Sequence, residues 1–277
     1  KNPYPLLRHL EQLKKMNIGC YIQYSLNDYE KEGLEKGVPP LDFRIKTFKS
    51  LVEKLGKGHA IWRFDPLLLT KDITIDTLLE KIKYIGNQLK GYTEKLVFSF
   101  ADILCYRKVK ANLEKNHITY IEWSEKQMTE FAARLSEMNR QLGWNYQLAT
   151  CGEKIDISMY GIQHNKCVDD DLIIRLSYQD KVLMEHLKVE IHRRGESLFD
   201  EEPENSININ DSYYGIKLKD NKDKGQRAFC SCIDSKDIGQ YNTCAHLCEY
   251  CYANTSKEAA LYNYKRHQQN PNKESII

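Results

Sequence analysis

Cys244, Cys248 and Cys251 stand in the pattern C-x-x-x-C-x-x-C, inside the run Tyr-Asn-Thr-Cys-Ala-His-Leu-Cys-Glu-Tyr-Cys-Tyr-Ala. Gaps of three and two residues let a short loop turn around a metal cluster and offer one thiolate to each of three irons of a cubane. The fourth iron is then open to a small molecule, whereas a cluster capped by four cysteines mostly passes electrons. Tyr250, immediately before the last cysteine, is placed to shield such a cluster or to touch a bound adenine by stacking. Upstream, Cys230 and Cys232 form a C-x-C pair. It has three readings: a further ligand for the same cluster, part of a second cluster with Cys167, or a zinc site. Zinc also favours closely spaced thiolates, so a structural zinc knuckle is the alternative to a [4Fe-4S] cluster. His246, within the loop, is expected to pack or to donate a hydrogen bond to the cluster rather than to ligate.

The chain has 9 cysteines in 277 residues. Cys20, Cys105, Cys151 and Cys167 lie singly among apolar or mixed residues, the usual setting of a small buried thiol. The others crowd between Cys230 and Cys251. With no signal peptide in view, that crowding reads as a metal or cluster site in a reducing cytoplasm rather than a disulfide scaffold. Basic and acidic residues number 41 and 39, a formal charge of +2, so composition gives no general electrostatic case for a nucleic-acid partner. Apolar runs such as Pro66 to Leu69 fall far short of the ~18 to 20 residues that span a bilayer, and no membrane partner is expected. The chain opens Lys-Asn-Pro rather than with Met, which reads as the middle of a longer protein whose preceding segment carries a further strand.

The elements that position these residues come from the first two-thirds of the chain. Short β-branched or aromatic runs there alternate with stretches of helical period, the pattern of a parallel sheet covered by helices. The strands are expected at Cys20 to Ser25, His59 to Phe64, Lys95 to Phe100 and Tyr146 to Cys151. Amphipathic stretches lie between them, at Asp42 to Leu55, Ile73 to Leu89 and Ser124 to Leu142, the last opened by Ser124 and Gln127 as a capping box. The β-to-β intervals leave room for a crossover helix and a functional loop. The expected fold class is therefore α/β, a partial (β/α) TIM-type barrel with parallel strands plus a C-terminal cysteine-rich segment. From about Gln179 the pattern decays, and Glu190 to Asn221, with Glu201-Glu202-Pro203-Glu204-Asn205, reads as a charged linker or insertion. The units expected are a partial barrel over 1–185, a linker or insertion over 186–226, and an iron-sulfur segment over 227–277 that ends in a short polar helix at Ser256 to Gln268.

Parallel strands place their C-terminal ends at one mouth, and polar residues there are site candidates. These are Gln23 and Ser25, Arg63 and Asp65, Ser99 and Asp102, and Thr150 with Cys151 and Glu153. Arg63 is suited to clamp a carboxylate or phosphate while Asp65 binds an amine or a ribose hydroxyl; an internal ion pair, with Asp65 capping the turn before Pro66, is the plainer reading. Glu153 is a candidate for a substrate amine or a ribose. Cys151 is a candidate hydrogen-atom donor, although a cysteine that ends a strand is commonly core. His164, near Cys167, reads as a loop histidine bonded to backbone. The 18 tyrosines read as surface filling, because no basic stripe accompanies them.

The stretch Cys244-x-x-x-Cys248-x-Tyr250-Cys251 resembles the cluster loop of radical S-adenosylmethionine enzymes, most closely that of the spore photoproduct lyase branch. The resemblance implies a [4Fe-4S] cluster on the three cysteines, with S-adenosylmethionine on its open iron. It implies an electron donor, and a 5′-deoxyadenosyl radical that takes hydrogen from a substrate, a small molecule or a nucleic acid. In that superfamily the loop follows the first strand, whereas here it follows the barrel-like part. A second resemblance spans nearly the whole chain. Trp62-Arg63-Phe64-Asp65-Pro66, Gly161-Ile162-Gln163-His164-Asn165-Lys166-Cys167, Cys230-x-Cys232 and Asp237-Ile238-Gly239-x-Tyr241-Asn242-Thr243-Cys244 are together similar to an uncharacterised bacterial domain-of-unknown-function family noted for a radical-SAM-like C-terminal cysteine cluster. The alternative of another class is a non-catalytic binding or scaffold protein whose cluster or zinc only pins the C-terminus.

Overall fold

The computed structural model describes residues 1–195 and 202–276. A 3-10 turn (Tyr4–Arg8) and helix α1 (Leu10–Lys15) precede strand β1 (Ile22–Ser25). Then follow α2 (Leu41–Leu55), β2 (Ala60–Leu67), β3 (Leu69–Thr70), α3 (Ile75–Leu89), β4 (Lys95–Phe100), α4 (Arg107–Lys115), β5 (Tyr120–Ile121), α5 (Glu125–Gln141), β6 (Gln147–Thr150) and β7 (Ile162–His164). Strands β1, β2, β4, β6 and β7 form one parallel sheet in that order, so each new strand adds to the same edge. β3 and β5 make a small antiparallel pair beside it.

Period two along each strand sends alternate side chains to opposite faces. Tyr24, Trp62, Phe64, Leu96, Phe98 and Leu148 are buried in the main core with Phe48, Leu51, Ile82, Ile85, Phe131 and Leu135 of the covering helices. The helix starts follow their sequence signals. Thr74 accepts from the Thr77 amide at 3.3 Å, and Ser124 and Gln127 form the expected capping box at the head of α5. Gly86 of α3 lies against Trp144, where an added Cβ would stand 2.5 Å from the indole.

The opposite face carries Ile61, Val97 and Ala149, packed by Leu172 of α6 (Asp170–Ser177). The expected α/β class and parallel sheet are present, and no barrel is closed. After β7 the chain enters α6, whose Leu172 covers the face that a barrel would turn inward. The other side of α6 buries Ile174 with Met184 and Leu187 of α7 (Lys181–Leu187). These residues meet Val189 of β8 (Val189–Arg193) and Ile209 of β9 (Ile207–Asn210). With β10 (Tyr213–Lys217), these strands form an antiparallel sheet in the order β8-β10-β9. The stretch read as a linker or insertion thus contains a sheet with its own apolar core. Of the acidic run 201–205, Glu201 lies outside the described residues. The chain ends in α8 (Lys257–Gln269), capped by Ser256. Among the described residues no helix is long and apolar enough to cross a membrane.

Candidate functional site

The face covered by α6 becomes polar toward the C-terminal ends of its strands. Ile61, Arg63 and Asp65 alternate along β2, and Arg63 is in register with Val97, which is in register with Ala149. Arg63 is buried; it is ion-paired with Asp65 and donates to Gln23 Oε1 at 3.2 Å and to Cys167 Sγ at 3.0 Å. Ser99 donates its hydroxyl to the other oxygen of Asp65. Burial opposes the Arg63 charge, but Asp65 and the two nearby sulfurs outweigh it and hold its pKa above the ordinary value. Glu153 accepts from the Phe100 amide at 2.9 Å. Burial pushes its carboxyl up to about 7 against the pull of that amide, so both protonation states are accessible near neutrality.

Gln23, Arg63, Asp65 and Ser99 are therefore brought into one network, and Cys151 reaches it through Cys167, the two sulfurs standing 3.4 Å apart. Asp102 is exposed and receives the Cys105 amide in its own turn, at 3.4 Å. Thr150 is in register with His164 on one side and Phe98 on the other, which puts it on the main-core face, opposite Arg63. Ser25 stands in register with Arg63 at the edge of the sheet.

The cysteine loop docks on the segment that follows β1. Glu35 and Cys248 form an antiparallel bridge, the Glu249 amide donates to the Leu34 carbonyl at 2.9 Å, and the Gly37 amide donates to the His246 carbonyl at 2.9 Å. Gly37 must be glycine for this approach, because a Cβ there would lie 2.3 Å from the Ala245 carbonyl oxygen. Leu247 holds the turn with a φ of +54°, a left-handed conformation that a γ-branched residue adopts only when its surroundings impose it.

Tyr250 is buried, with its ring edge on Tyr29 at 5.9 Å. Its hydroxyl donates to Glu35 and receives Lys1 Nζ at 2.8 Å and Asn27 Nδ2 at 3.1 Å. The ring therefore pins the loop from beneath and presents no open face to an adenine. Tyr252, 60% exposed and 5.9 Å from Tyr106, is the aromatic ring on the open side. Glu249 is buried among Lys36, Lys257 and Asn116, which ties the loop to α4 and α8. Asn27 also donates to the Asp65 carbonyl at 3.0 Å and accepts from the Asp65 amide at 2.9 Å. One residue therefore joins the cysteine loop to the Arg63 network.

Cys248 is buried, Cys251 partly buried and Cys244 exposed. Burial pushes the Cys248 thiol up to about 12, with Lys1 pulling the other way, and burial lowers His246 to about 4. Among the described residues these three sulfurs are not mutually within 4.8 Å, a wider spacing than the ~3.8 Å between thiolates sharing one tetrahedral zinc. Cys230 and Cys232 take another direction: the Cys167 and Val168 amides donate to Cys232 Sγ at 3.1 and 3.4 Å.

Asn27 and Glu35 were not read from the sequence. Their one signal is a polar residue just past the end of β1 and an acid among Gly33, Gly37 and Pro39. Among the described residues Asp169, Asp170 and Asp171 bring three carboxylates within 4.8 Å of one another, but Lys166, Lys217 and Lys95 occupy their oxygens, which makes them an ion-pair cluster. The family model Domain of unknown function (DUF1848) matches residues 1–253. Neither a curated protein nor a solved structure matches the chain.

Proposed function

We propose that this chain, which belongs to the DUF1848 family, is a radical S-adenosylmethionine-type enzyme in which Cys244, Cys248 and Cys251 hold a [4Fe-4S] cluster. The observation that carries the reading is the docking of the cysteine loop on residues 34–37, in the segment between β1 and α2. Although the loop is late in sequence, it packs against the segment that follows the first strand. On this reading the open sheet is a partial (β/α) barrel, and the loop lies over its C-terminal mouth beside Arg63, Asp65 and Ser99.

When bound, the cluster would supply one-electron reduction of the S-adenosylmethionine sulfonium, fed by an external electron donor. The chain's own residues do the rest. Tyr250, Glu35 and Asn27 fix the loop. Arg63 and Asp65 bind the charged groups of a small molecule or a nucleotide, and Glu153 holds or releases a proton beside them. A cytoplasmic setting suits a chain whose thiols must stay reduced.

The second reading, a structural cluster or zinc that only staples the C-terminus, is favoured by one observation: Glu249 and Tyr250 are tied down on both sides of the loop. Anaerobically reconstituted, reduced protein incubated with S-adenosylmethionine separates the two. The enzyme reading expects 5′-deoxyadenosine from the wild type and none from Cys248→Ser. No product and no cofactor binding by the wild type leaves the staple.

A further inference from the structure

We infer that Cys151, Cys167, Cys230 and Cys232 form a second metal centre, separate from the C-x-x-x-C-x-x-C loop, that binds a thiophilic metal as thiolates. The four residues come from three parts of the chain. Cys151 immediately follows β6, Cys167 lies between β7 and α6, and the C-x-C pair arrives from the segment after β10. Cys151 Sγ and Cys167 Sγ are 3.4 Å apart, close to the ~3.8 Å expected of two thiolates on one metal. Cys232 is buried, its sulfur lies 3.1 Å from the Cys167 amide, and Cys230 is two residues away on the same segment.

The donors around the sulfurs make this more than a collection of buried thiols. Two consecutive amides, of Cys167 and Val168, point at Cys232 Sγ at 3.1 and 3.4 Å. Arg63 Nη1 and Asn165 Nδ2 point at Cys167 Sγ at 3.0 and 3.6 Å. A neutral thiol is a weak acceptor, whereas N–H donors converging on sulfur form the outer shell that metal-bound thiolates carry. The guanidinium also offsets the negative charge that several thiolates gather at a buried site.

The approach is fixed by the backbone. The Ile233 amide donates to the Val168 carbonyl at 3.1 Å and the Asp223 amide to the Cys232 carbonyl at 2.9 Å. Arg227 rests on Gly152, where a Cβ would stand 2.9 Å from its guanidinium. No three of the four sulfurs lie mutually within 4.8 Å, so neither Cys230 nor Cys232 is that close to both members of the Cys151–Cys167 pair. That arrangement suits a pair of sulfide-bridged irons, or one zinc once the Cys232 side chain turns toward Cys167.

The test removes the loop ligands and asks whether metal remains. In the Cys244→Ser/Cys248→Ser/Cys251→Ser protein, the inference expects about one zinc or about two irons per chain, elemental analysis distinguishing the two. Adding Cys167→Ser or Cys232→Ser should lower that content about tenfold or more. Should those variants not fold, alkylation of the wild type gives the same answer. Cys151, Cys167, Cys230 and Cys232 should be protected together and become reactive together on chelation. Metal below a tenth of one equivalent, metal indifferent to both added substitutions, independent alkylation of the four, or a Cys151–Cys167 disulfide in the isolated protein would each overturn the inference. Because the readout is taken with the loop cysteines absent, it is independent of whether the radical reading holds.

Discussion

Asn27 Nδ2 donates to the Tyr250 hydroxyl across 3.1 Å while its amide oxygen receives the Asp65 N–H at 2.9 Å. Asn27 is fully buried, so removing its amide leaves polar groups on both sides without a partner. Asn27→Leu should cost about 2 to 4 kcal/mol and Tyr250→Phe about 1 to 2 kcal/mol. The double variant should lose less than the sum, since the two share one bond. Urea denaturation of the four proteins checks this; strict additivity would mean the bond carries no coupling.

Gly37 meets backbone rather than a yielding side chain, so Gly37→Ala must displace the cysteine loop. Iron retained per chain after gel filtration should fall severalfold while far-UV circular dichroism is unchanged. Gly33 has a φ of +66° but nothing within 4 Å of an added Cβ. Gly33→Ala should therefore cost only about 1 kcal/mol and leave iron retention intact.

Gly86→Ala tests the helix layer. The new methyl would overlap the Trp144 ring, whose indole N–H bonds Asn87 at 2.9 Å and so resists moving. Overpacking of this kind costs about 1 to 3 kcal/mol, read as a fall in Tm with the loop's metal content unaltered.

How far the molecule was legible in advance varied with the physical signal. The strands around Trp62 and Phe98 stand out because each is an aromatic and β-branched run buried on both faces, and the short strands around Tyr24 and Leu148 follow from the spacing between helical stretches. Helix α5 announces its start through Ser124 and Gln127. Strand β7 is only three residues long, too short to leave a period. β8 to β10 form a sheet whose exposed polar face makes the sequence read as linker. The site was legible as a list of residues but not as a set of partners. Tyr250 and Asn27 are 223 positions apart, and nothing in a single chain reveals that the last loop returns to the first strand. Cys151 read as an isolated thiol for the same reason, its sulfur standing 3.4 Å from that of Cys167 only in the fold.

Asp170 provides a pH prediction. Burial alone would raise its carboxyl, but Lys166 and Lys217, at 2.7 and 3.0 Å, hold it below the ordinary value of 3.8. A depressed folded-state pKa contributes stability above the unfolded value that is lost as pH falls through the folded one. Asp170→Asn should thus lose about 1 to 3 kcal/mol at neutral pH. The gap to wild type should close as pH drops below about 4. Chemical denaturation at pH 7, 5 and 3 checks the sign, and a gap that widens in acid would contradict it.

The central claim is that Cys244, Cys248 and Cys251 leave one iron open at the mouth of the sheet, and the most direct measurement is the electron paramagnetic resonance spectrum of the reduced, reconstituted protein with and without S-adenosylmethionine. The account predicts a [4Fe-4S] signal that changes shape when the cofactor is added and is absent from the Cys248→Ser protein. A signal identical with and without the cofactor, or a wild type that holds no cluster on these cysteines, would contradict it.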